Sequence, residues 1–212
     1  MTAGDRLQQG TDRFLRHPEF IVPAVLGSFF SGLIGFTIEQ RAAQLSLAGL
    51  ADIVFLGTMD TMLSVFFTGL LIALILASQE EGERGPWTVA FIRYPALVFA
   101  SVLYAVAVGI GLLAFIVPGI YIGVRLAFFP FRVVAGESSF TALGQSWDRA
   151  SGHVLQTGVV LFILSGIGAA SFLFLDLFPE GLVEVLDMVY VSLYLPWSTC
   201  VLYAVYRDIF NR

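Results

Sequence analysis

The stretch that decides the fold of this chain is residues 94–124, YPALVFASVLYAVAVGIGLLAFIVPGIYIGV, which contains no charged side chain. A helix needs about 20 apolar residues to cross the roughly 30 Å of hydrocarbon in a bilayer. These 31 residues are therefore too many for one crossing. The pair Pro118-Gly119 follows a full span's length of residues and is a turn signal. The sequence predicts two membrane-spanning helices joined by a structural turn at Pro118 and Gly119.

Four more uncharged stretches have the length of a single span. They cover residues 20–38, 61–78, 154–175 and 188–206. Their residues are continuously apolar and do not alternate with polar ones, which favours helices over a transmembrane barrel. We therefore predict an all-α integral membrane protein in which residues 1–212 form a single domain. Its six transmembrane helices are expected as three in-out-in hairpins, over about 20–38, 59–78, 96–116, 120–135, 154–175 and 188–206.

The composition supports this class and excludes others. The chain is 58% hydrophobic and 13% charged, and its mean hydropathy is +0.86. A soluble domain usually has about a quarter of its residues charged, so a soluble enzyme is excluded. The formal charge of −5 and the absence of Lys exclude a basic, nucleic-acid-binding body. Arg without Lys fits either a GC-rich genome or adaptation to high salt. With two His and one Cys, we expect no metal site and no cofactor.

The arginines are distributed unequally between the two sides of the predicted spans. Nine lie on the side of both termini: Arg6, Arg13, Arg16, Arg84, Arg93, Arg132, Arg149, Arg207 and Arg212. Arg41 lies on the other side, where the last loop is acidic, and Arg125 lies within a span. Basic residues accumulate in cytoplasmic loops, so we predict a multipass protein of the cell membrane with both termini in the cytoplasm.

Two connections on the predicted cytoplasmic side carry a tryptophan close to the membrane. The first, residues 86–93, contains Trp87 and ends before Pro95. The second, residues 138–150, has apolar side chains at positions i, i+3 and i+7, which are Phe140, Leu143 and Trp147. Both patterns predict amphipathic helices in the membrane interface. They would either fix the depth of the protein as an aromatic belt or offer a surface to lipids or a partner.

An arginine at the predicted position of Arg125, inside the fourth span, has an unfavourable free energy of insertion. Insertion scales assign an Arg at a span centre a cost of about 2.5–3.5 kcal/mol. We expect it to face the bundle and contact an acid or a lipid phosphate, or else to snorkel to the surface. Asp60, just before the second uncharged stretch, is the first candidate for an intramembrane ion pair with Arg125. The alternative for Asp60 is the N-cap of the second span.

Residues 118–153 resemble the signature of the membrane domain of glycerophosphoryl diester phosphodiesterases and of related uncharacterised multipass proteins. That signature has a Pro-Gly turn, an Arg, a Pro, Val-Val, an acid, an Ala, Ser-Trp and a Gly. The corresponding residues are Pro118, Gly119, Arg125, Pro130, Val133, Val134, Glu137, Ala142, Ser146, Trp147 and Gly152. The resemblance implies a six-span membrane domain without the soluble catalytic barrel in which the phosphodiesterases carry out hydrolysis.

Our leading hypothesis is a non-enzymatic membrane module that binds lipid or a partner membrane protein. The candidate binding residues are Arg125, Arg132, Ser146, Trp147, Arg149 and Trp87. Expected partners are membrane lipids, with another membrane protein or a second copy as the alternative, and no nucleic acid. A small transporter or channel with a polar cavity around Arg125 is the second hypothesis. A membrane-embedded enzyme is the third, because no nucleophile motif is present.

Overall fold

The structure is a computed structural model and describes residues 3–42, 47–78, 85–175 and 177–210. All regular elements in these residues are helices. The α-helices are α1 (Ala3–Arg16), α2 (Ile21–Ala42), α3 (Leu47–Ala77), α4 (Pro86–Ala114), α5 (Ile116–Leu126), α6 (Phe129–Val134), α7 (Ser139–Ala150), α8 (Val154–Leu175) and α9 (Glu180–Phe210). Two short 3-10 helices among the same residues, Pro18–Phe20 and Ser151–His153, link α1 to α2 and α7 to α8.

Within these residues, six stretches are long and apolar enough to cross a membrane. Five belong to α2, α3, α4, α8 and α9, and the sixth is formed by α5 and α6 together, Ile116–Val134. The stretch formed by α5 and α6 has 19 residues, a length that corresponds to about 28 Å of helix. The prediction of an all-α multipass membrane protein with six spanning helices is confirmed. The predicted orientation depends in part on Arg84, Asp176 and Arg212, which lie outside the described residues. The orientation therefore stays a prediction.

The spanning helices pack in chain order around a ring. α2 contacts α3, α3 contacts α4, α4 contacts α5, and α5 contacts α8. α9 closes the ring because it packs against both α8 and α2. α6 packs on α4 and α3, α7 packs on α6 and α5, and α1 lies along α9. We name the end of the bundle that holds α1, α6, α7 and the C-terminal half of α9 the charged end.

Buried side chains are concentrated at the charged end. Leu71 and Ile75 of α3 and Val205 of α9 are each 0% exposed. At the opposite end, large apolar side chains lie on the outside, such as Leu113 of α4 at 90% and Leu173 of α8 at 74% exposure. In a membrane such side chains face lipid without cost. The charged end is therefore the part of the molecule that is packed tightly enough to hold a defined site.

The predicted interfacial segment 86–93 is not a separate helix. It is continuous with the third span in α4, a 29-residue helix that contains Pro95. Pro86 fits the first turn because the N–H that proline lacks would have no helical partner there. Pro95 removes one backbone hydrogen bond, and spanning helices tolerate this when neighbouring groups satisfy the freed carbonyl. The prediction that Pro95 separates Trp87 from the third span is therefore wrong.

The turn between the third and fourth spans lies at Phe115 and not at Pro118-Gly119. Phe115 is extended, with φ −166° and ψ 153°, and α5 begins at the next residue. Pro118 lies in the first turn of α5, where its missing N–H needs no partner. Gly119 approaches α4 so closely that an added Cβ would lie 2.5 Å from the Leu112 side chain. The Pro-Gly pair therefore lies near the start of α5 and packs this helix against α4 instead of forming the turn.

Candidate functional site

The N-terminal helix α1 lies antiparallel along the C-terminal half of α9. The α1 face that packs inward repeats at helical spacing and consists of Ala3, Leu7, Gly10 and Phe14. A Cβ on Gly10 would lie 2.5 Å from the Cα of Val201, so the two helices touch backbone to backbone at this point. Close contact of this kind is possible only with a glycine at the crossing. α1 is therefore an integral part of the charged end.

Arg6 joins α1 to two other helices through a buried side chain. The residue is 1% exposed. Its Nη2 donates to Asp208 Oδ2 at 2.6 Å and to Gln156 Oε1 at 3.0 Å. Its Nε and Nη1 are buried without a hydrogen-bond partner. A buried guanidinium requires a counter-charge, so this contact holds α1 to both α9 and α8.

Two further contacts fix the second half of α1. Trp197 Nε1 of α9 donates a hydrogen bond to Thr11 Oγ1 at 2.9 Å. The Arg13 guanidinium carbon lies 4.6 Å from the centroid of the Tyr203 ring, a cation–π geometry. Since α1 is held along its length, the side chains of its last turn have a defined position relative to α9.

A cavity of about 380 Å³ opens between that last turn and α9. It is lined by Gln9, Asp12, Arg13, Arg16, His17, Cys200, Ala204 and Arg207, and we name it the basic cavity. Three guanidinium groups line it against one carboxylate, that of Asp12. The imidazole Nδ1 of His17 lies 2.8 Å from Glu19 Oε1. The lining therefore carries a local excess of positive charge.

The arginines of the basic cavity differ from the other arginines at the charged end. In the part of the chain that the structure describes, Arg13, Arg16 and Arg207 have no carboxylate within the 4.0 Å of an ion pair. Arg6 and Arg132, in contrast, are ion-paired with Asp208 and Glu137. The basic cavity thus has guanidinium donors that the described protein does not use.

The structure brings three of the sequence-predicted residues together, Arg125, Ser146 and Trp147. Nε and Nη2 of Arg125 donate to the Trp147 carbonyl oxygen at 3.0 and 2.7 Å. The guanidinium carbon also lies 4.0 Å from the centroid of the Trp147 ring, and Nη1 donates to Tyr121 Oη at 2.8 Å. The donors of Arg125 are therefore engaged in joining α5 to α7.

Ser146 bridges the break between α5 and α6. Its Oγ donates to the Arg125 carbonyl oxygen at 2.9 Å and lies 3.2 Å from the Phe128 nitrogen, which donates to it. Interrupting a helix leaves a backbone donor and acceptor without intrahelical partners, and burial makes such groups costly. Because Ser146 is 0% exposed, its hydroxyl serves both groups where water does not reach.

The other predicted binding residues lie apart from this contact. Arg132 donates to Glu137 Oε1 at 2.9 Å and to Gln145 Oε1. Trp87 is 47% exposed on α4, and Arg149 is exposed on α7. The six residues thus do not form one site.

The second predicted interfacial segment does form a helix of its own, α7. The face that it packs against the protein consists of small residues, Ser139, Ala142, Ser146 and Ala150. Its apolar residue Phe140 is 69% exposed, so this side chain points away from the core. Contact of Phe140 with the membrane stays a prediction.

Asp60 and Arg125 do not form the predicted ion pair. Asp60 lies in the middle of α3 and not at its N-terminus, because the apolar residues before it continue the helix. Its Oδ1 accepts a hydrogen bond from Ser31 Oγ of α2 at 2.5 Å. The N-cap prediction for Asp60 is therefore also wrong, and its role is to join α2 to α3.

Within the described ranges, no group of three or more His, Cys, Asp or Glu is placed to hold a metal ion. The residues of the basic cavity were not among the sequence-predicted site residues. The 4-3-4 spacing of Ala3, Leu7, Gly10 and Phe14 indicates a helix face and could have revealed the docking of α1. No local pattern indicates that Arg207, almost 200 residues later, completes the same cavity.

Comparison with protein-family models gave no match to this chain, and neither the curated proteins nor the solved structures gave one. The resemblance to the phosphodiesterase membrane domain stays a prediction from its motif.

Proposed function

We propose that this protein is a non-enzymatic multipass membrane protein that binds anionic lipid at its charged end. The observation that supports this function is the basic cavity, in which three guanidinium groups lie without a carboxylate partner among the described residues. Guanidinium groups bind phosphate oxygens through pairs of short, charge-assisted hydrogen bonds. An anionic headgroup is therefore the membrane component that the cavity suits best.

The position of the cavity along the chain supports a lipid ligand. His17 lies in its wall and directly precedes the 3-10 helix that leads into the first spanning helix. Close to His17 in the sequence, Leu15 is 71% exposed and Val22 of α2 is 53% exposed. The cavity therefore lies beside the start of the first spanning helix, where a bound headgroup would be expected.

The alternative of a transporter with a polar cavity at Arg125 receives less support. The three nitrogens of that guanidinium donate to the Trp147 carbonyl and to the Tyr121 hydroxyl. Such an arginine has a structural partner and offers little to a passing solute. The contact instead favours a rigid charged end.

The proposal is tested with the full chain purified in detergent and titrated with dioleoyl phosphatidylglycerol, bound lipids being counted by native mass spectrometry. The double variant Arg16→Gln, Arg207→Gln should bind the lipid about tenfold more weakly or worse, since each charge-assisted hydrogen bond contributes roughly 1.5–3 kcal/mol. Both side chains are exposed, so the fold should persist.

Arg149→Gln is the matched control, because Arg149 is an exposed arginine at the same end but outside the cavity. It should bind the lipid as the unaltered protein does. Equal weakening in the control and in the double variant would show that only general surface charge attracts the lipid. No lipid binding by the unaltered protein would refute the proposed function.

A further inference from the structure

The charges around the basic cavity indicate more than a general preference for anions. Arg13, Arg16 and Arg207 face one carboxylate, Asp12, while His17 is within hydrogen-bond distance of Glu19. Gln9, Cys200 and Ala204 add no formal charge at neutral pH to the lining. A ligand with a single negative charge would leave this excess incompletely neutralised.

Arg13 is the fixed member of the set. Its guanidinium carbon lies 4.6 Å from the centroid of the Tyr203 ring, and among the described residues no carboxylate pairs with its N–H donors. Arg16 follows one turn later on α1, and Arg207 approaches from α9. The three groups therefore converge on the cavity from two helices that are locked together by the buried ion pair of Arg6 and Asp208.

We propose that the basic cavity selects lipids with a terminal phosphate, a phosphomonoester, over lipids whose phosphate is a diester. A phosphomonoester carries a charge of about −1.5 to −2 at neutral pH and three terminal oxygens. A phosphodiester carries one charge and two free oxygens, so it can engage fewer of the three guanidinium groups. This inference rests on the proposed function, since it specifies which anionic lipid the same cavity takes.

The volume and surroundings of the cavity are consistent with a phosphate attached to a larger molecule. At about 380 Å³ the space exceeds one inorganic phosphate and leaves room for part of a glycerol backbone. Its wall includes His17, which directly precedes the segment that leads into the first spanning helix. The shared chemistry of the ligand is a phosphate dianion, and the experiment has to separate a lipid source from free phosphate.

The test compares dioleoyl phosphatidic acid with dioleoyl phosphatidylglycerol, two lipids with the same acyl chains. The full chain in detergent is titrated with each, and bound lipids are counted by native mass spectrometry. We expect phosphatidic acid to bind about tenfold more tightly, the effect of roughly one additional charge-assisted hydrogen bond. The double variant Arg16→Gln, Arg207→Gln should lose this preference, whereas Arg149→Gln should keep it.

The possible outcomes separate the two proposals. If both lipids bind equally well, the monoester inference fails while lipid binding stands. If neither binds, both fail. A preference that persists in the double variant would place the selectivity outside the basic cavity. Inorganic phosphate at millimolar concentration should compete weakly; competition as strong as that of phosphatidic acid would identify free phosphate as the ligand and overturn the lipid assignment.

Discussion

Arg6 shows how a single charged side chain can fix the position of a whole helix. It is 1% exposed, and the Oδ2 of its partner Asp208 lies 2.6 Å from its Nη2. Replacing Arg6 by Met would remove the guanidinium that pairs with the Asp208 carboxylate, whose side chain is 11% exposed. Breaking one side of a buried pair costs roughly 3–5 kcal/mol. We therefore expect Arg6→Met to lower the thermal unfolding temperature in detergent. Tryptophan fluorescence measures this temperature.

The control for this prediction is the double variant Arg6→Met, Asp208→Asn, which removes both members of the ion pair. It should recover part of the lost stability, because removing one member of a buried ion pair usually costs more than removing both. Arg16→Gln, at an exposed position of the same helix, should leave the unfolding temperature unchanged. If Arg6→Met leaves the unfolding temperature unchanged, α1 docks without a contribution from this ion pair.

At the scale of residues, Arg125 has a partner that could not be predicted from the sequence. Its cost inside a span correctly indicated that it needs a partner. The partner was wrongly predicted as Asp60, because only side chains can be found by searching a sequence for opposite charge. The group that binds it is the backbone carbonyl of Trp147, and a carbonyl is present at every residue. Its availability depends on where α7 lies, which is a tertiary property.

At the scale of elements, α5, α6 and α7 form one unit held by Arg125 and Ser146. The fork of Arg125 donates two hydrogen bonds to one carbonyl, and Ser146 satisfies both backbone groups of the α5–α6 break. We expect Arg125→Leu to loosen α7, so that the amides of residues 142–150 exchange hydrogen faster in mass spectrometry. Arg125→Lys should have an intermediate effect, since Lys keeps the charge but cannot form the fork.

The exchange of α8 provides the internal reference for this experiment, because α8 begins after α7 and makes its own contacts with α9. Its amides in residues 160–170 should exchange at the same rate in all three proteins. If Arg125→Leu leaves the exchange of α7 unaltered, Ser146 and the small-residue face of α7 are sufficient to hold it.

The helices were easier to predict than the points at which they break. Apolar length alone determines that residues 154–175 form a span, and α8 has these bounds in the structure. Two prolines that the sequence predicts as helix breaks lie inside helices. Pro95 lies inside α4, and Pro118 lies within the first turn of α5. Each proline restricts its own N–H and φ angle, but packing between helices decides whether the chain continues. The turn at Phe115 has no local signal of its own.

At the scale of the whole molecule, buried side chains and arginines are both concentrated at one end. The composition predicts a membrane protein because it sums over all residues, and it cannot indicate which half of the bundle is well packed. The core residues of α3, α6 and α9 meet at the charged end. This is also where the positive-inside rule places the cytoplasm. The same end then holds the packed core and the basic cavity, and anionic lipids of the inner leaflet would be its natural ligands.

This orientation predicts a pattern of cysteine labelling in intact cells. In a Cys200→Ala background, one cysteine replaces Arg149, exposed on α7 at the charged end, and another replaces Leu177, 77% exposed between α8 and α9. A membrane-impermeant maleimide should label Leu177→Cys directly and Arg149→Cys only after permeabilisation. The reverse pattern would place the basic cavity outside the cell, where the lipids of the inner leaflet could not reach it. The predicted orientation would then be wrong, and the basic cavity would face the anions of the outer leaflet instead.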